Sequence, residues 1–293
     1  MEDENKIIRI YGADEKLRNE YFNFILKVFP SADFTKWHNK GFWTDNYISY
    51  SILESGKIIS NVSVSLMDVI VSNKAYKAIQ LGAVGTIPEY RSRGLSRIIM
   101  EYVLNKYMKK VDLFFLFANK NVLEFYPKFG FKKLQEKIFS YDLKEVKSNY
   151  SARKLNLNTL ADYNLLLNLI NDRKVLTKIF GADNYGFITI WHIFNTYADN
   201  LHYLEEENCI VIKTESENVL NIREIICKQL FDFESVLTKV IESESITKIN
   251  YYFPPDQIKF TYDNVVDYES YLFVRGKIEF DSIMPKFPET AHT

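Results

Sequence analysis

Cysteine and histidine are scarce in this chain, with two and four among 293 residues. Cys209 and Cys227 both fall in alternating apolar segments, the pattern of buried thiols rather than of a disulfide or a metal site. The four histidines are scattered, so no metal is expected. Neither sign of charge is in excess: 37 Lys and Arg stand against 38 Asp and Glu, a net of −1. Such a chain has no bulk field to gather nucleic acid or an acidic membrane surface, and neither is expected as a partner. No run of 18 apolar residues occurs, and the amino terminus, MEDENK, is acidic rather than a basic-then-apolar leader. A cytoplasmic location follows as the expectation. What the chain does contain is ordinary globular material, 47% hydrophobic and 26% charged. Its length suits about two domains of ~150 residues each, and a homo-oligomer is compatible with this composition.

The first half reads as an α/β unit. A short strand over 7 to 11 and a helix over 14 to 28 precede a loop rich in aromatics. A hairpin follows, with strands over 47 to 53 and 58 to 71 joined across Glu54-Ser55-Gly56-Lys57, whose glycine gives the turn its backbone freedom. The run Val111 to Ala118 is almost unbroken apolar sequence and suits a strand covered on both faces. A strand over 138 to 143 is expected to close the first sheet. The polar, aperiodic segment KEVKSNYS, 144 to 151, is the linker candidate, which sets domain boundaries at 1–147 and 148–293.

Between the hairpin and that apolar strand lies Gln80 to Arg97, QLGAVGTIPEYRSRGLSR, the most informative stretch of the chain. Leu95, Ile98, Ile99, Tyr102 and Val103 recur at amphipathic helical spacing, and Lys109 and Lys110 stand near the far end, where cations favour the helix dipole. The helix therefore begins at about Gly94. Its first N–H groups lack intrahelical partners and point into the preceding loop, where Arg91, Arg93 and Arg97 add positive charge and Gly94 permits close approach. A diphosphate fits that description. Gly82 and Gly85 interrupt the strand before the loop, which marks a bulge or a close approach to another group. A splayed strand there has amide groups free to pair with an extended arm such as pantetheine.

Arg91-Ser92-Arg93-Gly94-Leu95-Ser96 resembles the R/Q-x-x-G-x-G/A signature of the GNAT acetyltransferase superfamily, with Ser96 in place of Gly or Ala. Asn119 to Phe131, NKNVLEFYPKFGF, is similar to that superfamily's second block, with Asn119 and Tyr126 seven apart and Val122 replacing the usual Ala. The resemblance implies a mixed α/β (α+β) fold, with a central mixed, mostly antiparallel, splayed sheet flanked by helices: the acyl-CoA N-acyltransferase fold. It implies acetyl-CoA as cosubstrate, held by Val84, Gly85, Thr86, Arg91, Ser92, Arg93, Gly94, Leu95, Ser96 and Arg97, with Asn119 either bonding the pantetheine arm or capping the next turn. It implies Tyr126 as the acid that protonates the leaving thiolate, against the alternative of a core aromatic. The activity implied is N-acetyl transfer to a primary amine of a small molecule or peptide, in a ternary complex. The alternative is a non-catalytic acyl-CoA-binding sensor or scaffold, since the strand before the loop carries Gln80 where many relatives carry a glutamate base. A water chain, Asp45, His38 or a carboxyl-terminal carboxylate folded back into the site remain open as the base. For the acceptor, Trp37, Phe42, Trp43 and Tyr47 form a candidate apolar slot, with Asp45 near enough to pair with an ammonium group, and lid or interdomain packing as the rival reading.

The second half repeats the coarse pattern: a helix over 159 to 170, a mixed region holding Trp191 and His192, a hairpin of 209 to 213 and 219 to 227, a helix over 233 to 241, and strands over 248 to 253 and 271 to 274. Its connection at Lys228 to Asp232 has no glycine and cannot form the same amide cradle. The expectation is a duplicated fold whose second, GNAT-like copy is degenerate, as in tandem members related to the enhanced intracellular survival acetyltransferases.

Overall fold

The computed structural model describes residues 7–143, 148–256, 260–264, 270–280, 283 and 285–293, so the first half of the linker candidate lies outside the described residues. In chain order the elements of the first half are β1 (Ile7–Ile10), α1 (Glu15–Val28), α2 (Thr35–Asn39), β2 (Tyr47–Glu54), β3 (Lys57–Val71), β4 (Lys74–Thr86), α3 (Leu95–Tyr107), β5 (Leu113–Ala118), β6 (Lys132–Lys133) and β7 (Lys137–Asp142). Those of the second half are β8 (Arg153–Lys154), α4 (Leu160–Asn171), β9 (Phe180–Asp183), α5 (Gly186–His192), β10 (Leu201–Leu204), β11 (Cys209–Ser216), β12 (Val219–Cys227), α6 (Phe233–Val240), β13 (Lys248–Tyr251), β14 (Thr261–Asn264) and β15 (Tyr271–Gly276).

Local chemistry sets the element ends. The Asp14 carboxylate accepts from the Leu17 N–H to cap α1, and Thr159 caps α4 through the Asp162 N–H. Ser55 and Gly56 both take positive φ, 50° and 78°, the tight turn that matches the twist of β2 and β3. Cys209 and Cys227 are buried, free thiols that face each other across the β11–β12 ladder.

Two mixed sheets result. The first has the order β1-β2-β3-β4-β5-β15-β6, with β9 joining the far end of β3; the second runs β14-β7-β13-β12-β11-β10-β8. Each holds one parallel ladder of four residue pairs, closed over by a helix. In the first, Ala78 to Leu81 of β4 pair with Leu113 to Leu116 of β5, and α3 is the crossover. In the second, Val219 to Ile222 of β12 pair with Lys248 to Tyr251 of β13 through α6. The repeated pattern of the second half is thus a repeated topology.

The closing strands depart from the sequence expectation. β7 does not close the first sheet; it lies between β13 and β14 in the second. β15 takes the corresponding place in the first, between β5 and β6. The two halves therefore exchange their last strands. Side-chain character accounts for which strand goes where. β5 is covered on both faces, and its neighbour must be apolar on both, as Leu272, Phe273 and Val274 are; β7 leaves Ile138 exposed. The exchange, together with β9, gives the halves a shared core that runs from Tyr21, Phe24 and Trp37 to Phe187, Phe280 and Phe287.

Candidate active site

The parallel β4–β5 ladder ends at Leu81 and Leu116, and the two strands then part. The cause is a bulge. Ser63 pairs with Gly82 and Asn61 with Gly85, so Ala83 and Val84 together oppose Val62, and Ala83 is driven to φ 45°. A buried polar knot fixes it: Asn61 donates to the Ala83 carbonyl at 3.0 Å, and its own oxygen accepts from Ser49 at 2.6 Å and Ser51 at 2.7 Å. The two strand glycines admit neighbours from within the chain. A Cβ on Gly85 would come within 2.7 Å of Val28 at the end of α1, and one on Gly82 within 2.8 Å of the Thr293 hydroxyl oxygen.

Val84, Gly85 and Thr86 open onto a cavity of about 780 Å³ that is also lined by Arg91, Ser92, Arg93, Gly94, Leu95, Ser96, Arg97, Asn119 and Tyr126. Every residue expected to hold the cosubstrate, and the expected acid, thus face one space. The loop is wound for this: Ser92 and Gly94 take φ 63° and 77°, which turns successive amides toward the cavity at the start of α3. A Cβ on Gly94 would meet nothing within 4 Å, so the loop is open on its ligand side. Ser96, the departure from the small-residue signature, bonds Thr86 at 2.8 Å, and Thr86 bonds Ser60 at 2.9 Å. Its hydroxyl ties the first turn of α3 to the splayed end of β4. Arg91 donates to the Thr86 carbonyl, while Arg93 lies over the Tyr90 ring. Val28, Phe29, Tyr90, Asn121, Val122 and Phe125 complete the lining without having been singled out by sequence.

Tyr126 is 5% exposed, among Phe125, Phe131 and Phe273, and its hydroxyl has no partner among the described residues. Burial pushes its pKa up to about 12, so it is a neutral phenol at physiological pH, able to donate a proton. Asn119 caps the turn that follows β5, accepting from the Asn121 N–H at 3.0 Å, and lines the cavity as well.

A second, smaller cavity of about 50 Å³ meets the bulge from the other side, at Ala83. Phe34, Trp37 and Tyr47 line it from the first half, and Phe187, Ile188 and Trp191 of α5 from the second. Trp37 donates its indole N–H to the Phe187 carbonyl at 2.7 Å. The other candidate acceptor residues lie outside this lining: Phe42 packs on Phe194, Trp43 bonds the Tyr47 carbonyl, and Asp45 is exposed. His38 bonds the Gly12 carbonyl and is likewise not part of it.

The remaining wall is the tail, through His292 and Thr293. Gln80 holds it. The Gln80 amide donates to the Ala291 carbonyl and accepts from the Thr293 N–H, both at 2.6 Å, and the side chain is fully buried. Farther back, the Thr290 hydroxyl bonds Glu224, which also accepts from Tyr185 at 2.9 Å and pairs with buried Arg173 at 2.9 Å. His292 stacks on Phe117 with ring centroids 3.6 Å apart, and His192 donates to its carbonyl at 2.8 Å. Burial holds both imidazoles below the usual histidine range, and both are neutral at pH 7. Sequence reasoning reached the tail only as a carboxyl-terminal carboxylate folded back into the site, and passed over α5; a second signal was Gly82, whose missing Cβ leaves room for Thr293. Among the described residues no group of three His, Cys, Asp or Glu converges as a metal site.

Residues 10–134 match the family model described as an acetyltransferase (GNAT) domain. No curated protein sequence matches the chain at a significant level. Solved structures do resemble it. A conserved protein of unknown function from Enterococcus faecalis V583, named a probable N-acyltransferase, superposes with a TM-score of 0.60 at 16% identity, over 92% of this chain and 72% of that one. A GCN5-related N-acetyltransferase from Kribbella flavida gives 0.57 at 12% identity, over 92% and 71%. Eis1 from Mycobacterium abscessus gives 0.58 at 10% identity, over 91% and 73%. The fold of the chain is that of these proteins.

Proposed function

With residues 10–134 forming a GNAT acetyltransferase domain, we propose that this protein moves an acetyl group from acetyl-CoA directly to a primary amine of a small molecule or peptide, both substrates being bound at once. One observation carries the reading: a single cavity gathers the left-handed Arg-rich loop, the end of β4 that β5 leaves unpaired and the unpartnered hydroxyl of Tyr126. The acetyl thioester supplies the activated carbonyl. The loop amides at Ser92 to Ser96 and the guanidinium groups of Arg91 and Arg93 are suited to hold the diphosphate. The free edge of β4 from Val84 to Thr86 offers backbone N–H groups to the pantetheine arm and to the developing oxyanion. Tyr126 is the acid for the departing thiolate, and binding far from the reacting carbon contributes proximity.

Residues 1–147 are assigned this activity, with 148–293 as a duplicated, degenerate copy that lends α5 and the tail to the acceptor side. Its support is the second four-pair parallel ladder and the reciprocal strand exchange. Among the described residues no helix is long and apolar enough to cross a membrane, in keeping with a cytoplasmic enzyme.

The test pairs calorimetric binding of acetyl-CoA with thiol release across a panel of amines. Arg91→Ala with Arg93→Ala is expected to weaken acetyl-CoA at least tenfold and leave the fold intact; unchanged affinity removes the loop from the site. Saturable binding with no turnover on any amine replaces the enzyme with an acyl-CoA sensor.

A further inference from the structure

The end of α1 closes the large cavity on the side away from α3. Val28 and Phe29 both line that cavity, and both press on β4 at Gly85, where a Cβ would stand 2.7 Å from the Val28 Cγ1 and 3.3 Å from the Phe29 Cζ. Successive strand residues face opposite sides of a sheet. Thr86 turns toward α3, where it bonds Ser96 at 2.8 Å, so position 85 turns the other way, onto α1. The core divides along the same line. Val84 packs against the cluster that holds Ile99 and Val103 of α3, whereas Ala83, Val28 and Phe29 pack against the one that holds Phe24 of α1. Phe29 is also pinned through its backbone: its N–H donates to the Ile25 carbonyl at 2.7 Å, and its own carbonyl accepts from the Ala32 N–H at 2.9 Å. Gly85 is not among the glycines with positive φ, so what it supplies is room for Val28 rather than a special backbone conformation.

Resting on the acetyltransferase reading, in which the diphosphate lies at the loop and the pantetheine arm along Val84 to Thr86, the thioester arrives in the gap between β4 and β5 with this wall beyond it. We infer that Val28 and Phe29 set the length of the donor's acyl group, admitting acetyl and excluding chains of about six carbons or more. A longer chain that continues across the gap meets two side chains already in contact with the strand backbone. Beside them, at Ala83, is the cavity of about 50 Å³ on the acceptor side, small against the roughly 150 Å³ that benzene fills. A long acyl chain therefore has to displace the wall or compete with the amine.

Calorimetry on the full chain compares CoA with acetyl-, butanoyl-, hexanoyl- and octanoyl-CoA in the absence of amine, and thiol release with an accepted amine gives kcat/KM for each donor. A pocket that buried the chain would tighten binding about fourfold per added CH₂. Here affinity is expected to stay level, within about threefold, or to fall from acetyl to octanoyl, and kcat/KM to drop about 100-fold by hexanoyl. Phe29→Ala, and the milder Val28→Ala, are expected to tighten hexanoyl-CoA about tenfold while CoA itself binds as before. Wild-type affinity that climbs with chain length overturns the inference, and so does a hexanoyl-CoA affinity that neither variant moves while both still bind CoA. The wild-type series decides alone if a variant fails to fold. Level affinities with no turnover on any amine uphold the wall and refute acetyl transfer; failure of CoA itself to bind refutes the cosubstrate reading and the inference with it.

Discussion

Replacing Gln80 with glutamate puts a carboxylate where the resemblance to the GNAT superfamily would place a base, and on the proposed acetyltransferase reading it should impair turnover rather than help it. The Gln80 side chain is fully buried, and both of its polar ends hold the tail, at 2.6 Å from the Ala291 carbonyl and 2.6 Å from the Thr293 nitrogen. Gln80→Glu keeps the acceptor for Thr293 but sets an oxygen without a proton against the Ala291 carbonyl. Leaving a buried acceptor facing another costs about 1–3 kcal/mol, which corresponds to a factor of roughly 5 to 150 in tail docking. His292 and Thr293 wall the small cavity, so the loss should read as a rise in amine KM, with acetyl-CoA affinity preserved because none of the loop residues touch Gln80. The pH dependence has a definite sign. Burial and the facing carbonyl raise the new carboxyl's pKa in the folded protein, so docking survives at low pH, where the protonated acid can donate to Ala291, and is lost as pH rises through that raised pKa. Steady-state kinetics from pH 6 to 9 with calorimetry on acetyl-CoA measure both parts. A variant with wild-type amine KM at pH 8, or with increased kcat, refutes the reasoning.

Tyr126→Phe should cut kcat by roughly 10²- to 10⁴-fold, the range of acid catalysis, with acetyl-CoA affinity unchanged. Full activity would return the side chain to the role of a core aromatic. In the wild type the alkaline side of the pH profile should stay flat through the assay range, since Tyr126 loses its proton only as pH approaches about 12. Gly82→Ala places a methyl 2.8 Å from the Thr293 hydroxyl oxygen and 3.2 Å from its carbonyl carbon, so the tail must move; amine KM should rise and thermal stability fall by about 1–3 kcal/mol, and a crystal structure with the tail undisturbed would contradict this. Glu224→Ala strands the Arg173 guanidinium, of which 7% is exposed, and should destabilise by about 3–5 kcal/mol in denaturant unfolding; a change below about 1 kcal/mol would show that water reaches the pair.

What the sequence made legible was local. The α3 start, the glycine-interrupted strand and the Asn119 to Phe131 block are each readable from neighbouring residues, through caps, glycine conformations and helical spacing, although the bulge itself is fixed from Asn61 across the sheet, and the structure gathers their residues around one cavity. Partner choice was not legible. β7 and β15 are both six-residue strands at the end of a repeat, and nothing in their own pattern says that each pairs with the other repeat's sheet; only the two-sided burial of β5 decides it. The acceptor wall was hidden for the same reason. Gln80 and Ala291 are 211 positions apart, and Asp45 looked suitable from its neighbourhood in sequence but lies exposed on its loop.

Among the described residues, the second sheet has the tail in the place where the first opens its cavity. Its parallel ladder ends at Ile222 and Tyr251 just as the first ends at Leu81 and Leu116, so the same gap should open there. The gap is filled from within. The Glu289 N–H bonds the Tyr252 carbonyl at 3.0 Å, the Glu289 carboxylate pairs with Arg223 at 3.0 Å, and Thr290 reaches Glu224. One segment therefore occupies the cleft of the half that lacks a glycine loop and, three residues on, walls the small cavity beside the β4 bulge of the half that has one. On the proposed reading the glycine-free connection at Lys228 to Asp232 and the filled cleft belong together: without an amide cradle no diphosphate would compete with the tail, and the second repeat would reach the acceptor site through the first. On this argument Arg223→Ala, which releases Glu289 at the surface of the second sheet, should raise amine KM at a distance while leaving acetyl-CoA binding as it was.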